Sequence, residues 1–281
     1  MLRSVTKGFV LGAILIANLM LPLPACATTP IRINGTGSGL HMMKPLLEAY
    51  NKTHPEAHFE MDKALGSSGS IKALLANVLD IAVSSRPLKP KEAQAGARVS
   101  PYGQTPLALV THKDVTVTEL TTQELVNIYA GKTLNWPDGN PIRIILRPQE
   151  DSDTKILSQL SPEMNTAMIS AQLRPGMTIA VTDPESIAAI AKTPGAIGTS
   201  GLTGVIVEQL PVNVIRLNGV EPTPNALTTH SFPLSKPLDI VTLHTLSEAA
   251  KQFLTFVYSP KGRTIAEAAG VEVTAGEKSP W

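Results

Sequence analysis

Residues 66–87 open with Gly66-Ser67-Ser68-Gly69-Ser70-Ile71-Lys72 and close with Asp80-Ile81-Ala82-Val83-Ser84-Ser85-Arg86-Pro87. The first block is a run of small polar residues leading into a helix, because Ile71, Leu74, Leu75 and Val78 recur at spacings of three and four. The second is a short apolar strand that stops at two serines and a proline turn. The same grammar precedes it. Ile31-Arg32-Ile33-Asn34 is a brief strand ending in Gly35-Thr36-Gly37-Ser38-Gly39, after which Leu40, Met43, Leu46, Leu47 and Tyr50 mark a helix that Thr53-His54-Pro55 stops. His58-Phe59-Glu60-Met61 then gives a second strand. Short strands alternating with amphipathic helices imply an α/β fold with parallel strands.

Beyond Pro101 the pattern continues with longer strands. Residues 105–111 make a buried strand that can cross to a second lobe. A helix over 122–129 is closed by Gly131 and followed by the turn Asn135-Trp136-Pro137-Asp138-Gly139. Residues 142–146 form a strand that delivers Arg147 to the polar run before Thr154, where another helix begins. Residues 184–191 read as helix, and Gly195-Ala196-Ile197-Gly198 as a strand leaving that lobe. Residues 205–217 and 237–243 are expected to return strands to the first lobe, and helices over 247–258 and up to Gly270 end the chain. There is no internal repeat and no low-complexity linker. The expected organisation is a first lobe of 28–108 plus 205–281 and a second lobe of 109–204.

Composition bounds the function. Of 281 residues, 43% are hydrophobic and 17% charged, ample for a globular core and too apolar for wholesale disorder. The 24 basic residues, two of them (Arg3 and Lys7) near the start, face 23 acidic ones, so bulk attraction to nucleic acid or anionic lipid is excluded as the main activity. The chain holds 2 Trp, 4 Tyr and 5 Phe, few platforms for stacking sugars or bases. One cysteine forbids an internal disulfide and a cysteine metal cage. Residues 1–27 read as an export signal: Arg3 and Lys7, an apolar run from Phe9 to Met20, then Leu23-Pro24-Ala25-Cys26-Ala27. Cleavage after Ala27 fits the small-x-small rule and is favoured. A lipid anchor on Cys26 is the alternative, with Pro24 fitting a lipobox poorly. Both place the protein outside the cytoplasm, in the periplasm or its equivalent.

The turns carry the chemistry. A helix N-terminus offers unpaired N–H groups and partial positive charge, so it can hold an anion without cationic side chains. Gly35–Gly39, Gly66–Ser70, Ser84-Ser85 and Ser152–Thr154 all have the required Gly, Ser and Thr composition. Arg147, at a strand end, adds a planar fork of donors suited to a tetrahedral oxyanion. Any one such turn is more simply an N-cap; four with an arginine point to convergence on one anion. Asp151 and Asp153 are read through capping, with Asp153 expected to cap the helix beginning near Thr154.

Enzyme templates fail when counted. No serine sits in Gly-x-Ser-x-Gly. Gly131-Lys132-Thr133 lacks the upstream glycine of a nucleotide phosphate loop, and Gly35-Thr36-Gly37 meets Leu40 where a dinucleotide fingerprint needs glycine. The six histidines show no zinc spacing and are read as surface residues. No enzyme activity, metal or cofactor is expected. An exported serine hydrolase and a scaffold reusing the fold through its surface remain as other function classes.

These residues resemble the phosphate-binding proteins of bacterial ABC transporters. The likeness rests on Gly66–Lys72, Asp80–Lys89, Leu120–Trp136, Gly195–Gly198, Ser231–Leu238 and Phe256–Gly262, in that order along nearly the whole mature chain. The resemblance implies a two-lobed periplasmic binding protein fold, each lobe a sheet flanked by helices with crossing strands as hinge. It implies a monomer that captures phosphate or a similar oxyanion in the cleft for an ABC transporter permease. Another oxyanion, or a phosphorylated small molecule bound without a transporter, is the alternative. Carried over residue by residue, the ligand contacts are Thr36, Gly37, Ser38, Ser68, Gly69, Ser84, Ser85, Arg147, Ser152 and Thr154. Two departures weaken the ligand assignment. Asp153 stands where the family has the glycine of Ser-Gly-Thr, and Ser85 where many members have an aspartate that accepts the proton of monohydrogen phosphate.

Overall fold

The computed structural model describes residues 29–276 and 280–281, so the segment expected to be an export signal, with Cys26, lies outside the described residues. The chain runs β1 (Ile31–Gly35), α1 (Gly37–Asn51), β2 (Phe59–Glu60), α2 (Gly66–Leu75), β3 (Ile81–Ser84), α3 (Pro90–Gln94) and a long β4 (Arg98–His112). Next come β5 (Glu119–Leu120), α4 (Thr122–Tyr129), β6 (Arg143–Leu146), α5 (Ser152–Ser158), α6 (Pro162–Leu173), β7 (Thr178–Ile179), α7 (Asp183–Lys192), β8 (Ala196–Gly201) and α8 (Leu202–Glu208). It closes with β9 (Val212–Leu217), α9 (Pro224–Thr228), β10 (Ser235–Thr242), α10 (Glu248–Tyr258), α11 (Pro260–Ala268) and β11 (Glu272–Val273).

Two sheets share β4. In the first lobe β1 lies parallel to β2 and β3, and β10 runs antiparallel between β3 and the first half of β4, from Arg98 to Pro106. From Leu107 onward β4 pairs with β8 and β9 instead, and β8 lies parallel to β6. The strand can serve both sheets because its register partners change at one point, between Pro106 and Leu107. Each lobe has its own core. Leu46, Tyr102, Leu238, Phe253 and Val257 centre the first, and Leu109, Leu125, Tyr129, Met164, Ile197 and Ile215 the second.

One stretch differs from its sequence reading. Residues 205–217 are not one strand returning to the first lobe: 202–208 form α8, which packs against α1, while β9 pairs with the second half of β4 and with β5. The reason lies in the side chains of β9 and the segment after it. Ile215, Leu217, Leu227, Phe232 and Leu234 bury together in the second core, so the return waits until β10. The histidines differ too, since His41 and His112 are buried. His41 follows Leu40 on a helix whose first turns are enclosed on all sides, which periodicity alone does not reveal.

The helices begin where the sequence supplies caps. Thr36 accepts a hydrogen bond from the Gly39 amide at the start of α1, and Thr121 with Glu124 builds a reciprocal capping box on α4. The turns before α1 and α2 and after β3 meet through Ser85, which bonds Thr36 and Ser67.

Candidate functional site

β1 and β3 approach so closely that a Cβ on Gly35 would lie 2.6 Å from the Val83 carbonyl oxygen. This packing brings the β1–α1 and β3–α3 turns together, and the Ser85 hydroxyl donates to Thr36 Oγ1 at 3.2 Å. The Ser85 amide donates to Ser67 Oγ at 2.9 Å, tying in the start of α2. Arg86 extends over that start. It donates to Ser68 Oγ from Nε and Nη2 at 3.2 and 3.1 Å, and its fork grips Glu92 through two bonds of 2.8 Å. The Arg86 guanidinium holds the Glu92 carboxyl down at about 2.

From the second lobe β6 delivers Arg147, which is buried. Its guanidinium donates to Asp151 Oδ2 at 2.9 Å and Oδ1 at 3.3 Å, and to the Ala180 carbonyl at 3.2 Å. Behind it lie Asp153, Asp183 and Lys236, all buried. Lys236 Nζ, on β10, donates to Asp153 Oδ1 at 2.5 Å and to both oxygens of Asp183 at 3.0 and 2.9 Å. Arg147 stands 3.8 Å from Asp153 and 3.6 Å from Asp183. Two cations thus face three carboxylates in a nearly dry space, where unpaired charge is expensive.

The titrations follow from that crowding. Burial and the neighbouring charge of Asp183 push Asp153 up to about 7 despite Lys236. Burial opposes the charge on Asp183 as well, but Lys236 and Arg147 outweigh it and hold this carboxyl far below the usual range. Burial works against the charge on Lys236, but Asp153 and Asp183 outweigh it and hold its pKa above the usual value.

A cavity of about 240 Å³ opens between the lobes in front of this cluster. Five of the residues expected from sequence line it: Thr36, Gly37, Ser68, Arg147 and Ser152. The other five stand beside or behind it. Ser38 is buried and bonded to Asp183, and Gly69 sits one residue deeper in α2 than the lining. Ser84 donates to the Arg86 carbonyl, Ser85 to Thr36, and Thr154 to the Arg147 carbonyl.

Asp153 does not cap α5. The helix starts at Ser152, so the cap falls on Asp151, whose carboxylate accepts from the Asp153 amide at 2.9 Å. The Asp153 side chain turns inward to Lys236. Among the lining residues, Arg86, Asp183 and Lys236 are not assigned to the site by the sequence reading. One signal was present. Thr182 and Asp183 are adjacent candidate caps for α7, and only Thr182 is needed, in a capping box with Glu185. A spare aspartate at a helix start is free for another task. Lys236 gave no such signal, because its role depends on residues 53 and 83 positions away.

The site can hold an anion but is not arranged for nucleophilic catalysis. Ser38, Ser67 and Ser68 have Asp183, the Ser85 amide and Arg86 as side-chain partners, none of which is a histidine base. Among the described residues no group of His, Cys, Asp and Glu could hold a metal ion.

A family model for the PBP superfamily domain matches residues 23–261. The chain belongs to the PBP superfamily. The superfamily chain is 26% identical over 248 residues to a phosphate-binding protein PstS of Borreliella burgdorferi, covering 85% of this chain and 88% of that one. It is 26% identical over 267 residues to a phosphate-binding protein PstS of Staphylococcus aureus, covering 86% and 79%. Among solved structures it matches one from Clostridium perfringens, described as a phosphate ABC transporter substrate-binding protein with bound phosphate. That match has a TM-score of 0.73 and 26% identity over 88% of this chain and all of the other. An ABC-type phosphate transport receptor from Vibrio cholerae shares the fold, with a TM-score of 0.59 at 24% identity over 86% of this chain.

Proposed function

We propose that the protein is an exported solute-binding protein that captures phosphate in the cavity between its lobes and presents it to an ABC transporter permease. The observation that carries this reading is the meeting of Arg147 and Ser152 from one lobe with Thr36, Gly37 and Ser68 from the other around a cavity of about 240 Å³. Hydroxyls, backbone N–H groups and a guanidinium are the donors that tetrahedral oxyanions need. The PstS relatives, named as phosphate-binding, make phosphate the first choice among such anions. Thr36, Gly37, Ser68, Arg147 and Ser152 are the direct contacts in this reading. Ser38, Gly69, Ser84, Ser85 and Thr154 hold those contacts in position. The lobes that close on the ligand are built on residues 29–106 with 235–276, and on residues 107–201 with 212–234, with α8 packed against α1 of the first. Binding in a water-poor cleft, without covalent chemistry, is the whole of the activity, and the monomer is the working unit.

Calorimetry on ligand-stripped protein with phosphate, sulfate, arsenate, molybdate and tungstate tests the reading. One anion bound per chain is expected, with phosphate or arsenate preferred. Arg147→Ala is expected to weaken binding by about 1.5–3 kcal/mol through loss of charge-assisted hydrogen bonds. Absence of heat with every anion would reject the proposal, and unchanged affinity in the variant would remove Arg147 from the site. Export is part of the same reading. Intact-mass analysis of protein from the native host decides between a chain beginning after Ala27 and one acylated at Cys26.

A further inference from the structure

Asp183 is the first residue of α7 in the second lobe, yet its carboxylate reaches into the first lobe. Oδ2 accepts from the Ser38 amide at 2.6 Å and from the Ser38 hydroxyl at 3.0 Å, at the opening turn of the 15-residue helix α1. The same carboxylate accepts from Lys236 Nζ at 2.9 Å, and Arg147 lies 3.6 Å away. It is 1% exposed, so these partners replace water almost completely. The chain is shaped for the approach. A Cβ on Gly37 would lie 2.5 Å from Asp183 Cβ and 2.9 Å from its Oδ2, so only glycine lets the two helix starts meet. Ser38 is held from its other side as well, its carbonyl accepting from the Thr203 hydroxyl at 3.2 Å.

A helix N-terminus from one lobe, a strand-end arginine from the other and a buried lysine are donors that would suit an external anion. Here a tethered carboxylate already takes them. We propose that Asp183 is a built-in anion: it joins α7 to α1 as a captured oxyanion would, holds the lobes together without one, and sets how strongly the cleft binds an incoming anion. The last of these consequences rests on the oxyanion-binding reading; the first two do not. An arriving oxyanion meets Asp183 as a like charge on the cavity wall and finds the Ser38 donors in use. The residue therefore determines specificity by lowering affinity for highly charged anions. An electrostatic term between groups a few ångströms apart in a half-dry cleft is large enough to be read in a titration.

The test uses Asp183→Asn, which removes the charge and keeps an oxygen able to accept from Ser38, while Lys236 retains Asp153. Phosphate and sulfate affinities are measured by calorimetry, and the radius of gyration of ligand-stripped protein by small-angle X-ray scattering. The expected result is affinity raised by about tenfold or more for both anions, with an increased radius of gyration that phosphate restores. Unchanged or weakened affinity in a variant that melts like the parent would overturn the specificity role. An unchanged radius of gyration would overturn the bridging role. If neither protein binds any oxyanion, the functional reading falls, and scattering alone decides whether Asp183 holds the lobes. Ser38→Ala, which deletes one bond and no charge, should show the same opening in smaller degree. It carries the scattering test if the Asn variant does not fold.

Discussion

Replacing Lys236 with Met removes the cation that hydrogen-bonds both buried carboxylates while keeping a long apolar stem of similar reach. Lys236 makes three short contacts, one to Asp153 and two to Asp183, and is 1% exposed. Without it Arg147 is the nearest compensation, at 3.8 and 3.6 Å, and it is already engaged by Asp151. Breaking a buried pair by deleting one partner costs about 3–5 kcal/mol, because the other partner stays charged and dry. The pH dependence identifies the cause. Asp153 titrates at about 7 in the parent, well above its unfolded value. Loss of Lys236 should raise it further, so at pH 5 it is neutral in the variant and demands no counterion. The destabilisation should therefore be largest near pH 8 and smaller at pH 5, by up to about 1.4 kcal/mol for each pH unit over which the variant alone holds the proton. Urea unfolding of both proteins at pH 5 and pH 8 measures this directly. A loss below about 1 kcal/mol at pH 8, or an equal loss at both pH values, would refute the account of Lys236 as the counterion of the cluster.

Asp153→Asn should flatten the pH profile of stability. Between the unfolded pKa near 4 and the folded value of about 7 the native state holds a proton that the unfolded state has released, so the parent loses stability as pH rises through this window. The variant, measured by urea unfolding from pH 4 to 8, should lack that decline; a parallel decline would assign it to another group. Trp136→Phe should cost about 1 kcal/mol, because the buried indole Nε1 donates to the Gly195 carbonyl at 3.0 Å and the variant loses that bond, leaving the oxygen to the Arg143 amide alone. Thermal unfolding within error of the parent would show that water replaces the bond.

Local signals carried much of the architecture. Leu40, Met43, Leu46, Leu47 and Tyr50 announce α1 by spacing alone, and Thr36, Thr121, Ser247 and Ser259 mark helix starts by the chemistry of capping. Such signals act within a few residues, so they survive without knowledge of the rest of the chain. They also located Arg147 at a strand end and the Gly- and Ser-rich turns beside the cavity. What they could not supply was the partner of each polar group. Residues 212–217 cannot be assigned to a lobe by pattern, because a half-buried strand suits either sheet. Only burial of Ile215 and Leu217 against Leu125 and Leu234 selects one. The same holds at the site. An aspartate before a helix reads as a cap whether it faces water or a lysine on a distant strand. Asp153, Asp183 and Lys236 acquire their roles only when α5, α7 and β10 meet in a space from which water is excluded. Capping and periodicity were written into the sequence because they are short-range. The charge balance of the cleft belonged to the tertiary structure, because desolvation and Coulomb energy depend on distances that no local pattern encodes.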